Sequence, residues 1–328
     1  MSTTNEKRSW RGAAIRIGGS ALILALLLWL LPTDKLWAAI RRMPPSVFAL
    51  VVASFLATHV VGTIKWRVMV NLAGAGLNYA QAAQCYFAGL FGNVFLPSVV
   101  GGDLIRAGLA LKMGRNRAGT LFGSLLDRML DVAALGAVAG MGALLLPGAL
   151  DEQSRRVFWA LAALFAVGAV GGGLTLAFFP ARRLPFKVRR KLAKLRHAIR
   201  SMARQPHRVA LAFVLAMTMQ LSFVLMNVEL AEACGLDLPV PVWFFAWPIA
   251  KLSALLPVSQ GGIGVREAAL AALLLPFGAP PAVTVAAGLI WEVVIIVSGL
   301  MSGLASLLLA RITGSRRSAA GSSVPSET

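Results

Sequence analysis

Two stretches of this 328-residue chain, 160 positions apart, spell nearly the same thing. Leu96-Pro97-Ser98-Val99-Val100-Gly101-Gly102-Asp103-Leu104-Ile105-Arg106 and Leu256-Pro257-Val258-Ser259-Gln260-Gly261-Gly262-Ile263-Gly264-Val265-Arg266 both read L-P-x-x-x-G-G-x-x-x-R, each flanked by long apolar runs. Proline and glycine interrupt helices, and arginine is costly in lipid. A chain that sets all three inside apolar sequence, twice, is building two broken-helix elements within a membrane. Paired interruptions in corresponding positions of two halves point to the binding site of a transporter.

Composition fixes the class. The chain is 58% hydrophobic and only 14% charged, which is an integral membrane protein with room for roughly six to nine spans of about 20 residues. Its net charge of +19 suggests nucleic acid in a soluble protein. Here the positives lie mostly in loops and tails, where positive-inside sorting and anionic lipid head groups account for them, so no nucleic acid is expected. Cys85 and Cys234 lack metal-ligand spacing, and His59, His197 and His207 are scattered, so neither a metal nor a catalytic cluster is expected. The run Gly261 to Glu267 lacks G-x-G-x-x-G and no strand precedes it, and no Walker motif occurs, so no nucleotide or other cofactor is expected.

The apolar run 17–31 follows Lys7, Arg8, Arg11 and Arg16, with no A-x-A site after it, and reads as an uncleaved first span. Further spans read as 47–64, 118–146, 157–179, 209–233 and 282–309. Segments 79–96 and 242–256 lead into the two motifs, and shorter runs, 103–113 and 265–275, follow them. From 180 to 208 there are eleven Lys or Arg and no acid, so this loop is cytoplasmic. Arg311, Arg316 and Arg317 place the C-terminus inside, and the first span is read with a cytoplasmic N-terminus. Arg41 and Arg42, in the first external loop, run against the rule. The count makes the first motif pair enter and leave from the cytoplasm and the second from outside. Ordinary spans joined by surface Pro-Gly turns are the alternative. The second limbs favour re-entry, because a full span needs about 17 residues or more.

The expected fold is therefore an all-α polytopic membrane protein, with about six full spans plus two re-entrant helical hairpins forming an inverted repeat. One transmembrane domain covers 1–313, with halves about 12–179 and 209–309. They are joined by a cytoplasmic helix, 186–204, whose Val188, Leu192, Leu195, Ile199 and Met202 form an apolar stripe among basic faces, suited to the inner leaflet. The Ser/Gly-rich tail 314–328 reads as disordered.

Intramembrane charge is the second signal. Asp127 and Asp131 are an i, i+4 pair on one span, and Arg128 stands at i, i+3 from Asp131. Glu292 falls one position from where the 160-residue offset places Asp131. These four either carry coupling protons or hold helices together as ion pairs, for example Asp131 with Arg128. At the hairpin tips, helices starting after Gly101-Gly102 and Gly261-Gly262 present unpaired N–H groups, and glycine lets an anion approach them. Arg106 and Arg266, about one turn in, add a bidentate fork suited to phosphate. Asp103 and Glu267 are placed to pair these arginines in an empty site; Lys251 and Asn93 are weaker candidates. Gly136-x-x-x-Gly140 and Gly299-x-x-x-Gly303 read as packing faces.

The run Asn93 to Arg106, the run Leu126-Asp127-Arg128-Met129-Leu130-Asp131 and the run Leu256 to Glu267, in this order, resemble the membrane domain of the lysylphosphatidylglycerol synthase/flippase family. Family members commonly have Glu-Arg where this chain has Asp127-Arg128. In two-domain members the membrane part is associated with lipid translocation, and a separate C-terminal soluble domain transfers lysine from aminoacyl-tRNA. This chain ends soon after Leu309, so the resemblance implies the membrane part alone. It implies a lipid flippase or transporter in the bacterial inner membrane, both termini cytoplasmic, moving an anionic (phospho)lipid or a lipid-linked envelope precursor. The implied partners are membrane lipids and a lipid-synthesis enzyme. The alternatives are a membrane-embedded lipid-modifying transferase using Asp or Glu as base, and a non-catalytic membrane partner of such an enzyme. Against a transferase, no nucleophile–base pair stands out.

Overall fold

In the computed structural model of the chain, residues 32–96, 101–146, 203–254 and 262–321 are described, with isolated positions elsewhere. Isolated positions apart, the expected spans 17–31 and 157–179, the basic helix 186–204 and the motif cores 97–100 and 255–261 lie outside the described residues. Regular structure among the described residues is entirely helical.

Helix α1, Thr33–Arg42, carries Asp34 in its first turn and Arg41 and Arg42 in its last, each complementing the helix dipole. Pro44 and Pro45 separate it from α2, Pro45–Leu72, where proline fits the first turn. Helix α3, Tyr79–Phe95, opens on a capping box: the Gln81 N–H donates to the Asn78 side chain, and the Asn78 N–H donates to Gln81. Helix α4, Gly101–Met113, returns beside it. Helix α5, Arg117–Leu145, is capped by Asn116. In the second half, α6 is Pro206–Ala233, α7 is Val240–Ser253, α8 is Val265–Leu274, and α9, Pro281–Gly321, follows a 3-10 turn at Leu275–Phe277. Helices α2, α5, α6 and α9 are long and apolar enough to cross a bilayer. This is an all-α membrane protein.

Two boundaries differ from the sequence reading. The span expected to stop at residue 64 continues to Leu72, because Lys65 is not a loop residue but a buried one with carboxylate partners. The last helix continues to Gly321, into the stretch 314–328 expected to be disordered; no proline occurs there before Pro325, and Ala319 and Ala320 favour helix.

The packing is that of two inverted halves. Exchange α2 with α6, α3 with α7, α4 with α8 and α5 with α9, and the main helix pairings map onto themselves. The α2–α6 pair is its own image, α3–α9 becomes α7–α5, α2–α5 becomes α6–α9, and the hairpin α3–α4 becomes α7–α8. Helices α2 and α6 are antiparallel, since Phe55 meets Phe223 while the Met69 end meets Ala212. Helices α2 and α5 are antiparallel too: Lys65 reaches Asp131, Trp66 reaches Ser124, and Gly119 lies against Ala73. Helix α3 runs against α9, with Val94 at Gly299, Phe91 at Gly303 and Gln84 at Ser306. Gly299 and Gly303 thus serve the close packing expected of them, whereas Gly136 faces open space among the described residues.

These registers fix depth. Helix α3 starts beside the C-terminal end of α9 and stops beside its middle. Helix α7 starts beside the C-terminal end of α5, where Gly142 touches Phe244 and Phe245, and stops with Lys251 beside Gln220, midway along α6. The first limbs α3 and α7 therefore start at opposite ends of the bundle and stop near its middle. At the end where α2 and α9 finish stand Arg67, Lys112, Arg115, Arg117, Arg204, Arg208 and Arg311, with no acid among the described residues. At the other end, Lys35, Arg41 and Arg42 are offset by Asp34, Glu229, Glu232 and Asp237. Arg42 lies against Gly235, between two of these acids in sequence.

Candidate functional site

The charged residues of both halves gather around the inner ends of the described helices α3, α4, α7 and α8. In the first half, Lys65 Nζ lies 2.7 Å from Asp127 Oδ1 and 2.7 Å from Asp131 Oδ1. Arg106 Nη2 lies 2.9 Å from Asp103 Oδ1 and 3.7 Å from Asp127 Oδ2. Arg128 grips Asp103 with both arms, Nε at 2.6 Å and Nη2 at 2.5 Å. In the second half, Arg266 Nη2 donates to Glu267 at 2.5 Å and to Glu292 at 2.8 Å. The Gly264 N–H donates to the other Glu267 oxygen at 2.6 Å, which ties that carboxylate to the start of α8 where the dipole favours it. Gly288 of α9 leaves the room Glu267 occupies.

Lys65 and Asp127 are each 1% exposed and Arg106 is 5% exposed. Charges so placed persist only when paired, since stripping one partner from a buried pair costs about 3–5 kcal/mol. In both halves a cation stands between two carboxylates: Lys65 between Asp127 and Asp131 and Arg106 between Asp103 and Asp127 in the first, and Arg266 between Glu267 and Glu292 in the second.

Between the halves lies a cavity of about 300 Å³. Asp103, Arg106, Arg128 and Asp131 line it from the first half, and Gln220, Trp247, Lys251 and Arg266 from the second. Phe55, Phe223 and Trp291, stacked edge to face and tilted, form its apolar wall together with Trp247. The cations lie over rings: Arg106 is 5.0 Å from the Trp66 centroid and 5.1 Å from Tyr86, Arg266 is 5.4 Å from Trp247, and Lys251 is 4.2 Å from Phe223. Such contacts stabilise partly desolvated cations by about 0.5–2 kcal/mol each.

The residues singled out in the sequence fall in different places. Arg106, Arg266, Asp103, Arg128, Asp131, Gly102 and Asn93 line the cavity. Asp127, Glu267 and Glu292 stand one step back, as counter-ions. Gly101 is buried in the hairpin neck against Leu96, Gly262 lies against Ala254 with φ +84°, and Gly261 lies outside the described residues. The suggested pairing of Asp131 with Arg128 is not what forms: Arg128 takes Asp103, and Asp131 takes Lys65.

The glycine pair of the first motif also has another use. The Gly102 N–H already donates to Asn93 Oδ1 at 2.9 Å. A Cβ on Gly102 would stand 2.2 Å from the Gly89 carbonyl oxygen. This glycine lets α3 and α4 touch backbone to backbone, and the Asn93 side chain, which also lines the cavity, accepts from the start of α4. Sequence reasoning missed Lys65, Gln220 and Trp247 as site residues. For Lys65 a signal was available: a span of 47–64 is only just long enough to cross a bilayer core, and Lys65 is the next residue.

A family model described as Lysylphosphatidylglycerol synthase TM region matches residues 14–303 of the chain. No curated protein matches it.

Proposed function

This chain belongs to the lysylphosphatidylglycerol synthase transmembrane-region family, and from that premise we propose that it is a flippase, carrying an anionic lipid head group through the cavity between the hairpin tips. The family links the chain to lipid handling in a membrane. The observation that carries the finer reading is the cavity itself: a cation-lined chamber at the centre of four long apolar helices, reached by two hairpins from opposite ends. Helices α4 and α8 have 13 and 10 residues, about 20 Å and 15 Å long, well short of a bilayer core of about 30 Å. We read both hairpins as re-entrant. Arg106 and Arg266, one from each, supply the positive field. The charged described residues at the end where α2 and α9 finish are all basic, which supports a cytoplasmic placement of that end in the bacterial inner membrane.

Chemistry on the lipid has less support. The acids a transferase would use as base are held as counter-ions by Lys65, Arg106, Arg128 and Arg266. The test is reconstitution of the purified protein in vesicles carrying a trace of tail-labelled fluorescent phosphatidylglycerol, with an impermeant reductant added outside. Transport predicts bleaching beyond the outer-leaflet share seen in protein-free vesicles. Bleaching equal to that control, with the labelled lipid chemically converted instead, would favour the transferase.

A further inference from the structure

The two hairpin arginines do not stand alike in the cavity. Both Arg266–carboxylate contacts are hydrogen bonds, and they come from two helices, α8 and α9. Arg106 is different. Its Nη2 is near Asp103 but not aligned to hydrogen-bond, and its Nε has no hydrogen-bond partner among the described residues, although the side chain is 95% buried. A second unpaired donor lines the same cavity: the indole N–H of Trp247, a residue 1% exposed. A buried donor left unpaired costs about 1–3 kcal/mol. Two of them around one cavity therefore point to an acceptor that sits there.

Lys251 supplies the third element. It is one helical turn from Trp247, so the two share a face of α7. Its ammonium has three protons to donate. Gln220 takes one at 3.0 Å, and no carboxylate stands within ion-pair distance among the described residues. Every spare group in this set is a donor, and two of the three residues are cations.

Resting on the flippase reading above, the geometry points to Arg106, Trp247 and Lys251 as the groups that hold the head-group phosphate, with Arg266 a positioning residue that braces α8 against α9. The anion is held asymmetrically, by one residue of the first hairpin and two of the second. It then bridges the two halves, whose motion against each other a carrier requires. The lipid's chains follow the apolar lining beside Leu90 and Ile295.

The test is native mass spectrometry of the detergent-purified protein titrated with dioleoylphosphatidylglycerol, dioleoylphosphatidylcholine or glycerol 1-phosphate. Trp247→Phe removes the N–H and keeps a ring; Lys251→Met removes the ammonium and keeps the stem. Each is expected to weaken phosphatidylglycerol retention roughly tenfold or more, the effect of one hydrogen bond to a charged group. Trp243→Phe, equally buried on α7 but outside the cavity, is expected to change it less than about twofold. Should Trp247→Phe not purify as a monodisperse species, Lys251→Met carries the comparison. Both variants retaining phosphatidylglycerol like the wild type would overturn the assignment and leave the flippase reading standing. A wild type that retains the two lipids equally would sink that reading itself. Glycerol 1-phosphate bound as tightly as the lipid, and lost in both variants, would support the three donors while making the occupant a soluble anion.

Discussion

Arg106→Ala is expected to abolish lipid movement while the protein still inserts and purifies. The side chain reaches the cavity with a spare donor and lies over Trp66 and Tyr86. Each charged hydrogen bond it makes to a phosphate is worth roughly 1.5–3 kcal/mol, so losing even one slows transport about ten- to hundredfold. The fold survives because neither neighbouring acid is orphaned. Asp103 keeps both arms of Arg128, and Asp127 keeps Lys65. Arg106→Lys should recover only part of the rate, since an ammonium lacks the planar fork. The measurement is initial rate of labelled-lipid movement in proteoliposomes, normalised to reconstituted protein. Wild-type rates in the Ala variant would remove Arg106 from the site.

Lys65→Met has the opposite signature, a large loss of stability. Its ammonium is the shared partner of Asp127 and Asp131 across the α2–α5 contact. Removing it leaves the buried Asp127 and the partly buried Asp131 without their shared cation, at a cost of about 3–5 kcal/mol, or roughly 10 °C in melting temperature. Adding Asp127→Asn and Asp131→Asn to Lys65→Met should return part of the loss, because the stranded charges go with the lysine. Thermal melting in detergent decides it. An unchanged midpoint for Lys65→Met would mean that these acids are not held for packing, and would reopen a proton-coupling role for Asp131.

What could be read from the chain was set by local chemistry. Proline and glycine mark breaks, and the limbs expected at 79–96, 242–256 and 265–275 appear as Tyr79–Phe95, Val240–Ser253 and Val265–Leu274. Pairing Arg106 with Asp103, and Arg266 with Glu267, was legible because those partners are three residues or one residue apart. Pairings between helices were not. Lys65 meets Asp131 across 66 positions, and Arg128 passes over Asp131, its neighbour at i, i+3, for Asp103 on α4. No local spacing rule states which helix will stand alongside. Gly102 is the same case: a glycine at this place suggests room for a ligand, and only the fold shows that it also lets Gly89 of α3 approach. Trp247 reads in sequence as one more aromatic in an apolar run; its indole N–H becomes notable only when it has no hydrogen-bond partner among the described residues.

The central claim is that two hairpins dip from opposite faces and meet at one charged site. Single-cysteine labelling with a membrane-impermeant maleimide tests it most directly, in a background without the two buried thiols, Cys85 and Cys234. Lys112 and Leu275 end the second limbs of the two hairpins and are exposed. Leu104, in the first turn of α4, is 67% exposed and lies at the level of the first tip. The account predicts that Lys112→Cys is labelled only from the cytoplasmic face, that Leu275→Cys is labelled only from the external face, and that Leu104→Cys is shielded by lipid from outside. Labelling of Lys112→Cys and Leu275→Cys from the same face, or ready labelling of Leu104→Cys from outside, would contradict it.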